Sequence, residues 1–383
     1  MTASAIPSLP AGDSPDLVLV RATAEERIEC LKLNSIAWKG PLDLDAYISR
    51  ENLLLNQSLT RDSLTIWILV DRSEPEGKRT ILSACETYKK RALLAYNGAL
   101  EDVVTHGIGC VYCRAEFRGK GYAKRMCEEL GKKLEKWLVE EQPRGRSLFS
   151  ILYSDIGKKF YTQLGWKPFP SAQFSLPAAS AAGAAKSKTR DLFPTDVKSF
   201  MCNDTVMTKV REELQTASQK SSNVQVAVIP DFDHFVWHWA REEFTAQKLL
   251  QRSQPVIKGA GNDDARVYAV WNRNFGESPE SNILYILHWV YDEPKSVEEE
   301  SSLVQAIVGI LERAQEEAHE WGLSKVEFWN PSPLLQKAVA KLDPNIQLVH
   351  REKSSICSLR WTGAEHGLSD DVDWLFNEKF AWC

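Results

Sequence analysis

A chain of 383 residues with 47 Lys and Arg against 52 Asp and Glu, a net charge of -5, lacks the dense basic face that nonspecific nucleic-acid binding needs. Its 43% hydrophobic and 26% charged residues are the proportions of a globular protein, and the length predicts two domains. No apolar run is long enough to span a membrane, residues 1–15 lack the basic start and apolar core of a leader, and eight scattered cysteines suit a reducing compartment, so a cytoplasmic protein with no membrane or nucleic-acid partner is expected.

Residues 1–15 read as a disordered tail. The spacing then predicts a strand over 17–21, helices over 24–38 and 44–56, and a strand over 64–70 closed by a polar hairpin turn at 71–78. A pairing strand follows over 80–89. After a connector, residues 105–113 form a strand that runs through Arg118-Gly-Lys-Gly-Tyr-Ala123 into an amphipathic helix from 121 to about 141, with Met126, Leu130, Leu134, Trp137 and Leu138 on one face. Pro143 to Arg146 breaks it. Residues 147–153 make an apolar strand, and 156–164 a short helix stopped by Gly165.

The turn at 118–123 has the composition of a phosphate cradle. Gly119 and Gly121 let the backbone approach an anion, the first-turn amides of the following helix have no intrahelical partner, and Arg118 and Lys120 add positive charge. A Walker loop is excluded because no Gly-Lys-Ser/Thr follows. A dinucleotide fold does not fit a turn filled with Arg and Lys and lacking a later ribose-reading acid.

The small-residue stretch at 177–190 reads as a linker or surface loop. Beyond it the pattern predicts helices over 195–214 and 232–251 around a strand at 224–229, then strands at 266–272 and 282–291, a helix over 297–321, a strand at 325–329, a helix at 333–342 and a closing strand at 354–360. Both halves therefore read as mixed-sheet α/β units of similar element order. The second has no cradle: residues 292–300 are acidic and contain no glycine.

The strand, Arg118-x-x-Gly121-x-Ala123 and the helix after it resemble the acetyl-CoA-binding motif of GNAT acetyltransferases, and the element order up to residue 176 is that of the GNAT fold. Ile156-Gly-Lys-Lys-Phe-Tyr-Thr-Gln-Leu-Gly-Trp166 is similar to the second motif of that family. The resemblance implies a catalytic domain over 16–176 and a degenerate GNAT-like lobe over 191–383 that helps to form the acceptor cleft. It assigns cofactor contacts to Val111, Tyr112, Cys113, Arg118, Gly119, Lys120, Gly121, Tyr122, Ala123 and Lys124. Residues 116–126, 152–170 and 377–383 further resemble the fungal lysine N6-acetyltransferases of lysine catabolism. That implies acetyl-CoA as co-substrate, no metal, and a small-molecule amine acceptor, L-lysine. A polyamine or secondary-metabolite amine, and a non-catalytic acyl-CoA-binding protein, are the competing readings.

Such chemistry sets requirements. A lysine-like amine is protonated at neutral pH and must lose a proton before it attacks the thioester. The carbonyl oxygen needs a donor, which the resemblance places on a backbone amide near Val111–Cys113, and the departing thiolate needs a proton, for which Tyr161 is the candidate. The base is open between Glu86, His106 reached through a strand bulge, and a water chain. Cys110 and Cys113 on one strand point apart and are not expected to share a metal, the His234/His238 pair reads as packing, and Asp370, Asp371 and Asp373 read as a solvated acidic run.

Overall fold

The structure, a computed structural model, describes residues 9–139, 146–180 and 188–382. The first half comprises β1 (Leu17–Arg21), α1 (Ala24–Trp38), α2 (Leu44–Leu55), β2 (Leu64–Asp71), β3 (Ser83–Tyr96), β4 (Ala99–Cys113), α3 (Tyr122–Leu134), β5 (Ser147–Ser154), α4 (Lys159–Thr162), β6 (Lys167–Pro168) and β7 (Ala172–Pro177). The second comprises β8 (Arg190–Leu192), α5 (Pro194–Met201), α6 (Asp204–Lys220), β9 (Val224–Val228), α7 (Phe232–Leu250), β10 (Gly259–Asn262), β11 (Val267–Asn274), β12 (Ile283–Val290), α8 (Val297–Glu320), β13 (Lys325–Trp329), α9 (Pro333–Leu342), β14 (Val349–His350), β15 (Ile356–Trp361) and β16 (Val372–Trp374).

These strands build two mixed sheets. The first runs β1-β2-β3-β4-β5-β15-β6, and β9 pairs both with the far end of β3 and with β16. The second runs β14-β7-β13-β12-β11-β10-β8. The sheets exchange strands across the expected 177–190 boundary: β7, from the first half, pairs with β13, and β15, from the second, pairs with β5 through six residues from Ile356↔Ser154 to Trp361↔Phe149. The closing strand expected at 354–360 thus completes the sheet of the first lobe. Its run Ile356, Cys357, Ser358, Leu359 is buried on both faces, which suits a strand flanked on both edges.

One apolar cluster packs α3 on the first sheet through Met126, Leu130, Leu152 and Trp166, and another packs α8 and α9 on the second through Ile307, Ile310, Val326 and Ala338. A third draws Phe149 and Ile151 from one sheet, Val270 and Leu287 from the other and Phe235 from α7, so the lobes share a core.

Several boundaries differ from those the sequence predicts. The strands expected at 80–89 and 105–113 extend into one long hairpin, turned by Asn97 and Gly98 at φ of 50° and 79°. The single helix expected at 195–214 is two, because Asn203 caps α6 by accepting from the Val206 amide at 3.0 Å. The helix after the cradle ends at Leu134 rather than near 141, and residues 140–145 lie outside the described residues. β10, glycine-rich, carried no strand pattern.

The tail expected at 1–15 is packed where it is described: the Tyr122 hydroxyl donates to the Pro10 carbonyl at 2.7 Å, and Gly12 lies so close to the cradle that a Cβ there would meet the Lys120 carbonyl at 2.2 Å. Residues 1–8, and 181–187 of the linker, lie outside the described residues. Among the described residues no helix is long and apolar enough to cross a membrane.

Candidate active site

The parallel pairing of β4 with β5 ends at Ile108↔Leu152, while β4 continues to Cys113 and β5 to Ser154, so the two strands part. A bulge on β4 bends it away: Cys110 and Val111 together oppose Cys85 of β3, and Cys110 takes a φ of 49°. Between the parted strands lies a cavity of about 530 Å³.

One end of this cavity meets the cradle. Gly119 and Gly121 have φ of 79° and 86°, the left-handed region that favours glycine, and a Cβ on Gly119 would meet only open space. Thr23, Asp43, Asn203, Asp231, Ser296 and Ser332 each close a helix with a side-chain acceptor, whereas α3 begins at Gly121 with no such cap and no acid in its first turn. Its first amides are left for an external anion, with Arg118 beside them. The Arg118 Nε donates to the Cys113 carbonyl at 3.2 Å, which fixes the turn to the end of β4. This cradle, and the stretch of β4 beyond Ile108 that lacks a β5 partner, fit the phosphates and amide-rich arm of an acyl-CoA.

The other end is built by residues distant in sequence. Tyr47, Arg50 and Glu51 come from α2, Tyr88 from β3, Trp237 and Arg241 from α7, and Trp382 from the C-terminal segment. Arg50 pairs with Glu51 at 2.7 Å. Arg241 makes no ion pair among the described residues and stacks over the Trp382 ring at 5.3 Å; burial and the nearby Arg50 bring its pKa down to about 10, so it is cationic at neutral pH. His238 Nε2 lies 3.1 Å from the Phe380 carbonyl, and the Lys379 ammonium sits 3.6 Å from the Trp382 ring, which anchors this segment.

Of the residues singled out in the sequence, Val111, Tyr112, Cys113, Arg118, Ala123 and Tyr161 line the cavity, and Gly119, Lys120, Gly121 and Lys124 form the adjoining turn and helix start. Tyr122 instead is buried in the core beneath α3. The Tyr161 ring is buried and its hydroxyl has no hydrogen-bond partner among the described residues; burial raises its pKa, so it holds its proton. Glu86 stands one step behind the wall, 4% exposed, accepting the Tyr88 hydroxyl at 2.6 Å. Burial, then the charge of Glu51, hold its carboxyl above the ordinary range.

His106 is not at the site. The bulge lies beyond it, and in the paired part of β4 its Nδ1 lies 3.3 Å from the Ser147 hydroxyl, at the far end of β5, with burial pushing its pKa down to about 4. The side chains of Cys110 and Cys113 go to separate partners, Glu86 and the Leu82 carbonyl. His234 and His238 are buried in packing contacts, His234 against Asp231 at 2.8 Å. Asp373 accepts from Asn223 and Gln225 and so ties β16 to β9, while Asp370 and Asp371 are exposed.

Sequence reasoning missed Tyr88, Glu51 and Arg241; it singled out the 377–383 stretch but did not place Trp382 at the site. Arg241 follows Trp237 by one helical turn and shares its face, the one local signal available.

The same fold occurs in a GCN5-related N-acetyltransferase from Kribbella flavida, 16% identical, with 91% of this chain and 72% of that chain covered and a TM-score of 0.50. It also occurs in the N-myristoyltransferase of Saccharomyces cerevisiae with bound myristoyl-CoA, at 8% identity, 91% and 83% coverage and a TM-score of 0.52. With parted strands that open beside an uncapped basic helix start, the molecule has the GNAT fold. Residues 173–383 match the LYC1 GNAT-like C-terminal domain, and the chain belongs to this LYC1-like family. An uncharacterized protein of Saccharomyces cerevisiae is 25% identical over 91% of this chain and 93% of its own length. A protein of Yarrowia lipolytica named lysine acetyltransferase is 24% identical over 63% of this chain and 68% of its own.

Proposed function

We propose that the protein transfers the acetyl group of acetyl-CoA to the side-chain amine of free L-lysine. The observation that carries this reading is Arg241, a guanidinium on the cavity wall with no carboxylate partner among the described residues. An amino acid supplies that carboxylate, and a free amino acid is small enough for a cleft closed on one side by Trp237 and Trp382. A polyamine would leave Arg241 unpaired. The name of the Yarrowia lipolytica relative points the same way.

In this reading each residue has one task. Arg241 holds the α-carboxylate, and Tyr88 faces the amine. As the amine loses its proton, the Tyr88 oxygen takes it and the Tyr88 proton passes to the Glu86 carboxylate 2.6 Å away. Amides of β4 at Val111–Cys113 face the carbonyl oxygen; as the carbon–sulfur bond breaks, Tyr161 gives its proton to the departing sulfur, the nitrogen sheds its second proton to solvent, and Tyr161 recovers a proton from solvent. The 191–383 lobe contributes the acceptor wall through α7 and the C-terminal segment, and the seven described cysteines, all free, accord with a cytoplasmic enzyme.

The test is coenzyme A release with L-lysine, 1,5-diaminopentane and spermidine, with product position read by mass spectrometry. L-lysine acetylated on its side chain is the expected product, with 1,5-diaminopentane, the same chain lacking the carboxylate, a poor acceptor. Arg241→Met is expected to raise the KM for lysine about 10- to 100-fold, the worth of about 1.5–3 kcal/mol for a charged hydrogen bond, and to leave the acetyl-CoA KM unchanged. Equal use of 1,5-diaminopentane would refute the role of Arg241 and, with it, the amino-acid acceptor.

A further inference from the structure

An amino-acid acceptor brings a second charge that Arg241 cannot serve. On the carbon that bears the carboxylate sits an α-ammonium, cationic at neutral pH, and its partner must be an acid that stands close to Arg241. Two acids among the described residues line the cavity, Glu51 and Asp155. Asp155 follows the end of β5, and its Oδ1 accepts the Ser355 amide at 2.9 Å. Glu51 stands on α2, which packs against α7, and its charge acts on the Arg241 guanidinium.

Glu51 is held in place and only half used. Arg50 brings its Nε to 2.8 Å and a terminal nitrogen to 2.7 Å from the same carboxylate oxygen, Oε1. The other oxygen, Oε2, makes no hydrogen bond among the described residues. Arg50 is itself 4% exposed, fixed by the Trp38 carbonyl at 3.3 Å and by its place over the Tyr47 ring. The carboxylate is therefore ordered before a ligand arrives, and little side-chain freedom is lost when one binds. Arg241 and Glu51 do not pair with each other. A cation without a partner and a carboxylate with one oxygen free, on two helices packed together, match the two charges of a zwitterion.

We propose that Glu51 determines the specificity of the cleft: its Oε2 takes the α-ammonium of the acceptor while Arg241 takes the α-carboxylate, so that the substrate class is free α-amino acids with an unblocked α-amine. This rests on the reading of Arg241 given above. A lysine inside a polypeptide, whose α-nitrogen and carbonyl are both in peptide bonds, offers neither charge and is refused.

Initial rates of coenzyme A release with L-lysine and with 6-aminohexanoate, which is lysine without its α-amine, test it in the unaltered chain and in Glu51→Gln. A glutamine keeps an oxygen for Arg50, so the variant is expected to fold. The expected result is a preference for L-lysine of about tenfold or more in kcat/KM, cut to less than about twofold by Glu51→Gln. The ratio is the readout because a lesion in the fold, or a change at Glu86, lowers both acceptors alike. Equal use of the two acceptors by the unaltered chain, with 1,5-diaminopentane still poor, would overturn the role of Glu51 and leave that of Arg241 standing. A preference that survives in Glu51→Gln would overturn it as well, and no turnover of L-lysine would remove both readings together.

Discussion

Glu86 has no cation within ion-pairing distance among the described residues, and Tyr88 is its link to the cleft. Its raised pKa has a direct kinetic consequence. Glu86 accepts a proton only when ionised, so kcat/KM with L-lysine is expected to rise with pH through an apparent pKa above the ordinary glutamate value of about 4.3. Glu86→Gln is expected to lower kcat by about 10²–10⁴ and to abolish that acid limb. Tyr88→Phe, which breaks the link without touching the carboxyl, is expected to cost about as much with the acetyl-CoA KM unchanged. Full turnover by Tyr88→Phe would mean that the proton leaves by another route. At this scale the sequence showed what local pattern can show. Tyr161 is marked by the Gly165-Trp166 pair, and Glu86 by its place between Ala84 and Tyr88. Arg241 was illegible because it lies more than a hundred residues from the cradle in sequence, and nothing in the 377–383 stretch says which of its side chains reaches the cleft. His106 was offered as a base because the position of the bulge, which decides what its strand presents to the cleft, leaves no mark in composition.

At the scale of elements, the proposed cradle rests on three coincident backbone features: an uncapped helix start, two left-handed glycines and a bulged strand end. Gly121→Ala tests them through the backbone alone. A Cβ at Gly121 would find the Gly12 Cα at an ordinary 3.7 Å, so any penalty comes from the φ of 86°, which costs a residue with a side chain about 1–2 kcal/mol. If the turn shifts to escape it, the acetyl-CoA KM should rise by about tenfold with the lysine KM little changed, measured by initial rates with each substrate varied in turn. An unchanged acetyl-CoA KM would show that the turn holds no phosphate. Most elements could be placed from hydrophobic period and caps. The long β3–β4 hairpin was the exception with a signal present, Asn97-Gly98, a turn pair that requires positive φ and joins strands directly. The split between α5 and α6 was marked in the same way by Asn203, a residue favoured at helix starts.

Across the whole molecule, the exchange of β7 and β15 ties the two lobes together, a relation invisible to period because pairing partners about 150 and about 200 residues apart leave no local trace. Without β15 the lobe at 16–176 would expose the edge of β5, with Phe149 and Ile151, and would lose Arg360, whose guanidinium donates to the Gly131 carbonyl and pairs with Glu135 at 3.2 Å on α3. The contact is close: a Cβ on Gly131 would stand 2.9 Å from that guanidinium. The second sheet, without β7, would lose the strand that joins β13 to β14. Because each half supplies a central strand to the other and both feed one shared core, unfolding of either removes most of the stability of its partner. Urea denaturation of the full chain, followed by far-ultraviolet circular dichroism and by loss of acetyl-CoA binding, is expected to give one coincident transition. A fragment of residues 1–176 expressed alone is expected to aggregate through the bare edge of β5. Two separated transitions, or a monomeric fragment that binds acetyl-CoA, would show that the exchanged strands decorate lobes already stable by themselves.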